Sequence, residues 1–274
     1  MTVHRIYIVA NTTKEGSLRA LAVLKGWAQA KGIETVVVDR RGSVFSETEG
    51  SLVVAMGGDG TVLHAASIFA DSVVPILGAN LGSLGFLTQV GAQSLTRALE
   101  GLLHDRFTIE ERMRLSFTAS GEQGTALNDI VITSISRTRL CELELLSSDG
   151  SVATYPGDGL ILATATGSTA YNLSTGGPVV VPSAECILAS PLAVHKLGIL
   201  PIVFPSDEIL CVRARTKVNL FADGDLIAEL PAGGEITVEK AALPTRLIRM
   251  IDAPSFFKVL EEKLNWGDDA RRKG

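Results

Sequence analysis

The residues best suited to chemistry in this chain are Gly57-Gly58-Asp59-Gly60-Thr61. The apolar run at residues 53–56 precedes them and residues 62–66 continue as an apolar segment, so the pattern predicts a buried strand, a glycine loop and a helix that begins near Thr61. Because glycine has no Cβ, such a loop lets phosphate oxygens approach backbone N–H groups of the loop and of the helix start. The Asp59 carboxylate would repel those phosphates unless a cation lies between them or the carboxylate takes a proton from a nucleophile. We therefore expect chemistry at Asp59, and a Gly-Asp-Gly turn without a ligand is the alternative.

A second candidate site lies between residues 158 and 178, where an apolar run leads into small and hydroxyl-bearing residues. Closely packed backbone amides and hydroxyl groups suit the ribose and phosphates of a nucleotide, and Tyr171 can stack on a base. The alternative is a turn rich in serine and threonine at the edge of a sheet.

The first 110 residues alternate between apolar runs and segments of helical periodicity. Strands are predicted at residues 5–10, 35–39, 51–56 and 73–77, and helices at residues 17–30 and 94–103. This alternation predicts an α/β domain with a Rossmann-like parallel sheet, helices on both faces and a ligand crevice at the carboxyl ends of the strands. Two predicted glycine loops, residues 57–60 and 78–80, lie at such ends.

Beyond Met113 the sequence changes to short alternating or apolar runs separated by turn residues, the pattern of an all-β, sandwich-like domain. The predicted strands are residues 115–119, 126–132, 141–146, 160–166, 209–212, 218–221, 226–230 and 235–238. A last strand at residues 245–251 and a helix opened by Pro254, with Phe256, Leu260 and Leu264 on one face, complete the chain. We predict an α/β domain at residues 1–110, with residues 252–274 packing back on it, and a β-rich domain at residues 111–251.

Composition limits the classes of partner. The 274 residues are 46% hydrophobic and 20% charged, which is ordinary for a chain that buries a full core. A net charge of −5 offers no broad basic surface for nucleic acid, and no run of about 18 apolar residues could cross a membrane. Cys141, Cys186 and Cys211 lack metal-ligand spacing and are typical of buried thiols in a reducing compartment. We expect a soluble, cytoplasmic protein with neither a nucleic acid nor a membrane partner.

Four motifs occur in the order and spacing of the NAD kinase family, which the chain resembles over nearly its whole length. They are Gly-Gly-Asp-Gly-Thr at residues 57–61, Asn80-Leu-Gly-Ser-Leu-Gly-Phe-Leu87, Leu127-Asn128-Asp129 and residues 158–178. The resemblance implies the two-domain fold described above and oligomers, homodimers or homotetramers, built through the β domain. It also implies that ATP or polyphosphate, with Mg²⁺, phosphorylates the 2′-hydroxyl of the adenosine ribose of NAD to give NADP.

The resemblance assigns roles to individual residues. Asp59 matches the catalytic aspartate of the family, which is expected to act as proton acceptor or magnesium partner. Gly60 matches a residue that touches the dinucleotide. His64 lies one helical turn further on, where members often place a basic residue near the phosphates, although a structural histidine is an equal alternative. Asn128 and Asp129 match a pair that holds ribose hydroxyls. The other matched pocket residues are Asp158, Thr166, Thr169, Ala170, Tyr171, Asn172, Leu173, Ser174 and Ala193.

The sequence departs from the family pattern at several positions. Asp129 stands where the family more often has Glu, and Ala165 replaces the usual proline. His195 keeps its place while the serine and arginine that usually follow it are absent. Asp223-Gly224-Asp225 resembles an Asp-Gly-Gln motif, but Asp-Gly between two strand patterns is also a hairpin signal, and we favour the hairpin for Asp223 and Gly224.

Two other functions use the same motifs. A lipid kinase can carry the same Gly-Gly-Asp-Gly loop, although the polar residues 158–178 and the lack of an amphipathic membrane segment count against it. A non-catalytic dinucleotide sensor would keep the pocket, although the intact Asp59 favours an enzyme.

Overall fold

The computed structural model describes residues 2–13, 16–38, 49–136, 139–194 and 198–265. These residues divide into two compact units. The first, the α/β unit, contains the chain up to Glu111 and from Arg246 onward, and the second, the β unit, contains Arg112–Thr245.

The strands of the described residues are numbered in chain order. They are β1 (Arg5–Ala10), β2 (Glu34–Val37), β3 (Ser51–Gly57), β4 (Ile76–Asn80), β5 (Val90–Gly91), β6 (Phe107–Arg112), β7 (Leu115–Ala119), β8 (Glu122–Ala126), β9 (Asp129–Ser134), β10 (Cys141–Ser147), β11 (Gly150–Gly157), β12 (Gly159–Ala163), β13 (Cys186–Leu192), β14 (Ile202–Pro205), β15 (Leu210–Ala214), β16 (Val218–Ala222), β17 (Asp225–Leu230), β18 (Glu235–Lys240) and β19 (Thr245–Met250).

The helices are numbered in the same way. They are α1 (Ser17–Ala30), α2 (Asp59–Ile68), α3 (Leu95–Leu103), α4 (Tyr171–Ser174) and α5 (Phe256–Leu264), with short 3₁₀ turns at Ala92–Ser94 and Gly167–Thr169. None of the helices in the described ranges is long and apolar enough to cross a membrane.

The α/β unit is built on a mostly parallel sheet in the strand order β2-β1-β3-β4-β19-β6, with β5 pairing to β4. Strands β1, β2, β3 and β4 run parallel, and β19 joins β4 in the same direction. At the carboxyl ends of β3 and β4, Gly57 pairs with Asn80, and the Leu81 N–H donates to the Gly57 carbonyl at 3.0 Å. The ends of these two strands therefore bring the Gly-Gly-Asp-Gly motif next to the segment that begins at Asn80.

Helices cover both faces of this sheet, as the alternation of strands and helices predicted. Ile6 and Ile8 share a buried cluster with Leu24 of α1 and Leu99 of α3. Tyr7 points to the opposite face, because successive strand residues alternate, and its ring lies 5.3 Å from that of Phe69, just after α2. Hence α1 and α3 pack on one face and α2 on the other.

Two boundaries beside the Gly-Gly-Asp-Gly motif were predicted wrongly. Strand β4 is Ile76–Asn80 rather than residues 73–77, so residues 78–80 belong to a strand and not to a glycine loop. Val74 looks like a strand residue, but its N–H donates to Ser72 Oγ at 3.0 Å in a turn that precedes the strand. Helix α2 begins at Asp59 rather than near Thr61, because the Gly58 carbonyl already accepts from the N–H groups of Thr61 (2.9 Å) and Val62 (3.3 Å).

The β unit is an antiparallel sandwich, which confirms the predicted class. One sheet has the order β11-β10-β15-β18-β7-β8 and the other β14-β13-β12-β9-β16-β17. A single buried cluster joins them, with Leu143 and Val212 from the first sheet against Ile132 and Leu162 from the second. Alternate strand residues thus form one core between two sheets.

Several strands of the β unit were not predicted from the pattern. Strand β13 contains Ser190 and Pro191, which are typical of turns, and β8 is polar. Strand β12 ends at Ala163 rather than at residue 166, because the Thr164 hydroxyl donates to the Leu127 carbonyl at 2.6 Å and accepts from the Gly167 N–H at 3.0 Å. Residues 164–167 therefore form a turn.

The last helix packs differently from its prediction. Helix α5 begins at Phe256, after Ser255, whose hydroxyl accepts from the Lys258 N–H at 3.2 Å as an N-cap. Val259 and Leu260 are its buried residues, whereas Leu264 is exposed. The predicted face was therefore right at Leu260 and wrong at Leu264.

Candidate active site

The Asp59 carboxylate, at the first position of α2, is held by the loop that follows β4. Its Oδ2 accepts from the Phe86 N–H at 2.7 Å, and its Oδ1 accepts from the Leu87 N–H at 3.0 Å and the Thr88 N–H at 3.1 Å. The Thr88 hydroxyl donates to the same Oδ1 at 3.2 Å. A carboxylate with four donors has one fixed orientation at the carboxyl edge of the sheet.

The glycines of the motif have different surroundings. A Cβ at Gly57 would lie 2.0 Å from Thr61 Oγ1, which also accepts from the Gly58 N–H at 3.4 Å. A Cβ on the exposed Gly60 would meet nothing within 4 Å. Gly57 is therefore required by packing, whereas the space beside Gly60 is open to a ligand. His64, one turn further along α2, is exposed.

In the β unit, Asn128 and Asp129 are positioned by a carboxylate distant in sequence. Asp223 accepts from the N–H groups of Leu127 (2.8 Å), Asn128 (2.7 Å) and Asp129 (3.2 Å). Asp223 and Gly224 form a two-residue hairpin turn between β16 and β17 with φ values of 49° and 88°, so the hairpin prediction is confirmed. The Asp223 side chain also fixes the shape of residues 127–129, the segment matched to ribose binding. The sequence did not indicate this second role.

Asp129 is buried, with 5% of its surface exposed, beside Asp223. Burial, and next the negative charge of Asp223, raise the pKa of Asp129 to about 7. Burial also raises the pKa of Asp223, against the opposing effect of the three N–H groups that it accepts from. At neutral pH the Asp129 carboxyl is therefore protonated part of the time and can donate to a hydroxyl as well as accept from one.

The residues predicted around Thr166 divide into side chains that face outward and side chains that hold the fold. Tyr171 is 49% exposed, and Ser174 is also exposed, while Thr169, Ala170 and Leu173 are half-buried. Thr166 is buried and its hydroxyl accepts from Arg112 Nη1 at 3.4 Å.

Asn172 is fully buried and its side chain is occupied by the protein. Its Nδ2 donates to the carbonyls of Ser168 and Pro178, each at 3.2 Å, and its Oδ1 accepts from the Ser190 hydroxyl at 2.6 Å. This amide ties the 3₁₀ turn, the loop at Pro178 and β13 together, so its side chain has a structural task in the fold.

The matched residues of the β unit lie at opposite ends of one sheet. Asp129 pairs with Ala163 at the end of β12, and the Asn128 carbonyl accepts from the Thr164 N–H at 2.9 Å. Asp158 precedes β12, and its N–H donates to the Leu192 carbonyl at 2.9 Å, next to Ala193, which is exposed with φ 43°. At about 3.4 Å per residue, β12 separates these two groups by roughly 15–20 Å. His195 lies outside the described residues.

The α/β unit also contains a cavity of about 390 Å³ between α3, β5 and residues 250–253. Its wall includes Arg97, His104, Arg106 and Asp252, and Asp252 pairs with Arg106 at 3.3 Å. None of the residues predicted to bind substrate lines this cavity.

Sequence reasoning missed two sets of contacts that position the candidate residues. The Phe86, Leu87 and Thr88 donors to Asp59, and the Asp223 acceptor for residues 127–129, are separated from their partners by 27 to 96 positions. Most of these contacts use backbone N–H groups, so residue type gave no signal.

Comparison with known proteins places this arrangement in a class of phosphotransferases. The family model "ATP-NAD kinase N-terminal domain" matches residues 11–107, and "ATP-NAD kinase C-terminal domain" matches residues 127–250. The NAD kinase of Moorella thermoacetica is 36% identical over 96% of this chain and 90% of its own length, and that of Geobacter sulfurreducens is 38% identical over 89% and 92%.

Solved structures agree with these matches. Yeast NADH kinase, crystallised with NADH, has a TM-score of 0.89 over 100% of this chain and 90% of its own, and at 22% identity it shows the shared fold. An Archaeoglobus fulgidus NAD kinase in complex with ATP has a TM-score of 0.79 at 26% identity over 95% and 98% of the two chains. The chain belongs to the NAD kinase family.

Proposed function

We propose that this chain transfers the γ-phosphoryl group of ATP to the 2′-hydroxyl of the adenosine ribose of NAD and releases NADP. The observation that carries the proposal is the Asp59 carboxylate, held in one orientation where a buried parallel strand meets the start of a helix. Phosphoryl transfer depends mainly on positioning and charge stabilisation, and this arrangement supplies a fixed proton acceptor at the start of a helix, where the helix dipole attracts phosphates.

The two units carry different parts of this chemistry. Gly60 and the start of α2 approach phosphates, and Asp59 takes the proton of the reacting hydroxyl. Asn128 and Asp129 hold ribose hydroxyls, and Tyr171 stacks on a base. The exposed side chain of His64 lies four residues, about one helical turn, after Gly60, where it can donate a hydrogen bond to the donor phosphates.

Mg²⁺ enters this proposal with the phosphoryl donor. Among the described residues, no three His, Cys, Asp or Glu side chains form a group that could hold a metal. The ion would be bound by the donor phosphates and water, while Asp59 acts as the proton acceptor. When bound, Mg²⁺ neutralises the charge that develops on the phosphate oxygens.

The homo-oligomer predicted from the family is supported by the separation across β12. Asn128 lies at one end of this strand and Asp158 at the other, so one copy of the chain does not place both beside the same part of a ligand. We infer that a second copy supplies the Asp158 and Ala193 end of the site. The free thiols of Cys141, Cys186 and Cys211 are consistent with assembly in the cytoplasm.

The test is product formation by purified protein with ATP, Mg²⁺ and NAD, measured with an NADP-specific dehydrogenase. Parallel reactions with polyphosphate and with NADH identify the donor and the acceptor. Asp59→Asn should bind NAD within a few-fold of the unmodified chain and lose about 10²- to 10⁴-fold in turnover, the effect typical of a lost general base. If the chain binds NAD but forms no NADP with either donor, it is a dinucleotide sensor and the kinase proposal is wrong.

A further inference from the structure

We propose that Thr88 is a positioning residue for phosphoryl transfer, which fixes the Asp59 carboxylate so that Oδ2 is the oxygen that receives the proton. This inference rests on the proposed function. It adds Thr88 as a positioning residue and identifies Oδ2 as the oxygen of Asp59 that accepts the proton.

The two oxygens of Asp59 are used unequally. Among the described residues, Oδ1 accepts three hydrogen bonds, from the Leu87 N–H, the Thr88 N–H and the Thr88 hydroxyl, whereas Oδ2 accepts one, from the Phe86 N–H. Each carboxylate oxygen has two lone-pair directions. Oδ1 is therefore saturated, and Oδ2 keeps one direction for a proton.

The direction of the Thr88 hydroxyl bond is set by its other partner. Thr88 Oγ1 accepts from the Gly85 N–H at 3.1 Å, so its own hydrogen is free to point to Asp59 Oδ1. Thr88 is completely buried, and water cannot easily replace this donor. Gly85 completes the arrangement, because a Cβ there would lie 2.0 Å from Asp59 Oδ1.

In the proposed step the proton of the ribose 2′-hydroxyl moves to Asp59 Oδ2. The hydroxyl oxygen forms a bond to the γ-phosphorus, and the bond from that phosphorus to the β,γ-bridging oxygen breaks with its electron pair leaving on ADP. The proton on Asp59 then passes to water. Without the Thr88 hydroxyl, Asp59 keeps three of its four donors and loses the one donor that comes from a side chain, so its carboxylate is held less firmly and the fraction of Oδ2 aligned with the ribose hydroxyl falls.

The central experiment compares Thr88→Val with Thr88→Ser. Valine keeps the branched shape and removes the hydroxyl, whereas serine keeps the hydroxyl. We expect Thr88→Val to lower kcat about 10- to 100-fold with little change in KM for NAD or ATP, the scale of loss for a misplaced reacting group. Thr88→Ser should keep kcat within a few-fold of the unmodified chain.

A second comparison separates positioning from general damage to the fold. In an Asp59→Asn background, Thr88→Val should cause no further loss of turnover, because the group that it positions has already been removed. A purely structural role would lower activity by the same factor in both backgrounds.

Gly85→Ala is an independent variant for the case in which Thr88→Val does not fold. It displaces the Asp59 carboxylate while Thr88 is kept, so kcat should again fall with KM unchanged. Gly82→Ala is its control in the same loop, because a Cβ at Gly82 meets nothing within 4 Å. Circular dichroism and thermal unfolding establish which variants are folded.

The outcomes are distinct. If the unmodified chain forms no NADP, the proposed function fails. If it forms NADP and a folded Thr88→Val or Gly85→Ala variant keeps full kcat, or Thr88→Val lowers kcat equally in both backgrounds, the role of Thr88 is overturned.

Discussion

The Asp223 carboxylate accepts the backbone N–H of Asp129 at 3.2 Å, and its charge adds to burial in raising the pKa of the Asp129 carboxyl to about 7. One hairpin residue thus fixes the shape of the candidate ribose-binding segment, residues 127–129, and favours the protonated form of its carboxyl group, Asp129. Both effects can be measured.

We predict that the stability of the β unit falls as pH rises from about 4 to about 7. In the unfolded chain Asp129 ionises near its ordinary pKa of 3.8, whereas the folded chain keeps the proton up to about pH 7. The folded state therefore binds more protons in this window, and the free energy of unfolding falls by up to about 1.4 kcal/mol per pH unit. The stabilisation is complete below pH 4 and lost above pH 7.

Asp129→Asn should remove the part of this pH dependence that Asp129 contributes, leaving the part from the raised pKa of Asp223, and should be more stable than the unmodified chain at pH 8, measured by urea unfolding. Asp149→Asn, at an exposed hairpin turn of the same unit, is the control and should follow the unmodified curve. Parallel curves for the unmodified chain and Asp129→Asn between pH 4 and 8 would contradict the raised pKa.

Tyr171 should contribute to NAD binding through its ring. The side chain is 49% exposed, so Tyr171→Ala should leave folding intact and weaken NAD binding by about 1–3 kcal/mol, the value typical of a base stacked on an aromatic ring. Tyr171→Phe keeps the ring and should bind within a few-fold of the unmodified chain. Unchanged affinity of Tyr171→Ala in calorimetry would remove this residue from the site.

If a second copy of the chain completes the site, mixed oligomers of two variants with low activity should be more active than either variant alone. Asn128→Ala and Asp158→Ala change opposite ends of β12 and should each lower turnover. In a dimer that contains one copy of each variant, one of the two sites combines an intact Asn128 with an intact Asp158, so roughly half of the sites in the purified mixed dimers should be active. Co-expression of the two variants with different tags, followed by tandem purification, measures the recovery. Activity of the mixture no higher than that of the variants alone would show that each copy acts with its own two ends.

Tyr155→Phe should stabilise the protein. Tyr155 is completely buried in the core of the sandwich, and within the described residues its hydroxyl has no hydrogen-bond partner. An unsatisfied buried hydroxyl costs about 1–3 kcal/mol, so its removal should raise the free energy of unfolding by about 1 kcal/mol and the Tm by a few degrees. Tyr171→Phe is an exposed control that should stay within about 0.5 kcal/mol. A lower Tm for Tyr155→Phe would point to a bound water on the hydroxyl.

The fold class could be predicted from local patterns, because buried strands and amphipathic helices repeat apolar residues at fixed spacing. Strand β3 and helix α1 agree with their predictions for this reason. Strand β4 did not, because Val74 has the composition of a strand and lies in a turn closed by Ser72. Strand β13 lacks alternation as β3 does, but it was not predicted because Ser190 and Pro191 interrupt its apolar residues.

The candidate site was accessible to sequence reasoning only where chemistry depends on side-chain type. Asp59 and Asn128 stand out for that reason. The groups that orient them do not, since most of the donors to Asp59 are backbone N–H groups, which every residue but proline has. Asp223 was interpreted as a turn residue, and its second role depends on the pairing of β16 with β9, which brings residues 95 positions apart into contact.

Gly57 and Gly60 belong to one motif, but a random mutational survey in cells should separate them. A side chain at Gly57 collides with Thr61 at the end of a fully buried strand, so such variants would be lost through degradation of protein that fails to fold. A side chain at Gly60 points into open space, so such variants would accumulate to normal abundance and fail, if they fail, only through the ligand. Measuring both protein abundance and growth for each variant would therefore show which glycine of the motif is needed for folding and which is needed for substrate binding.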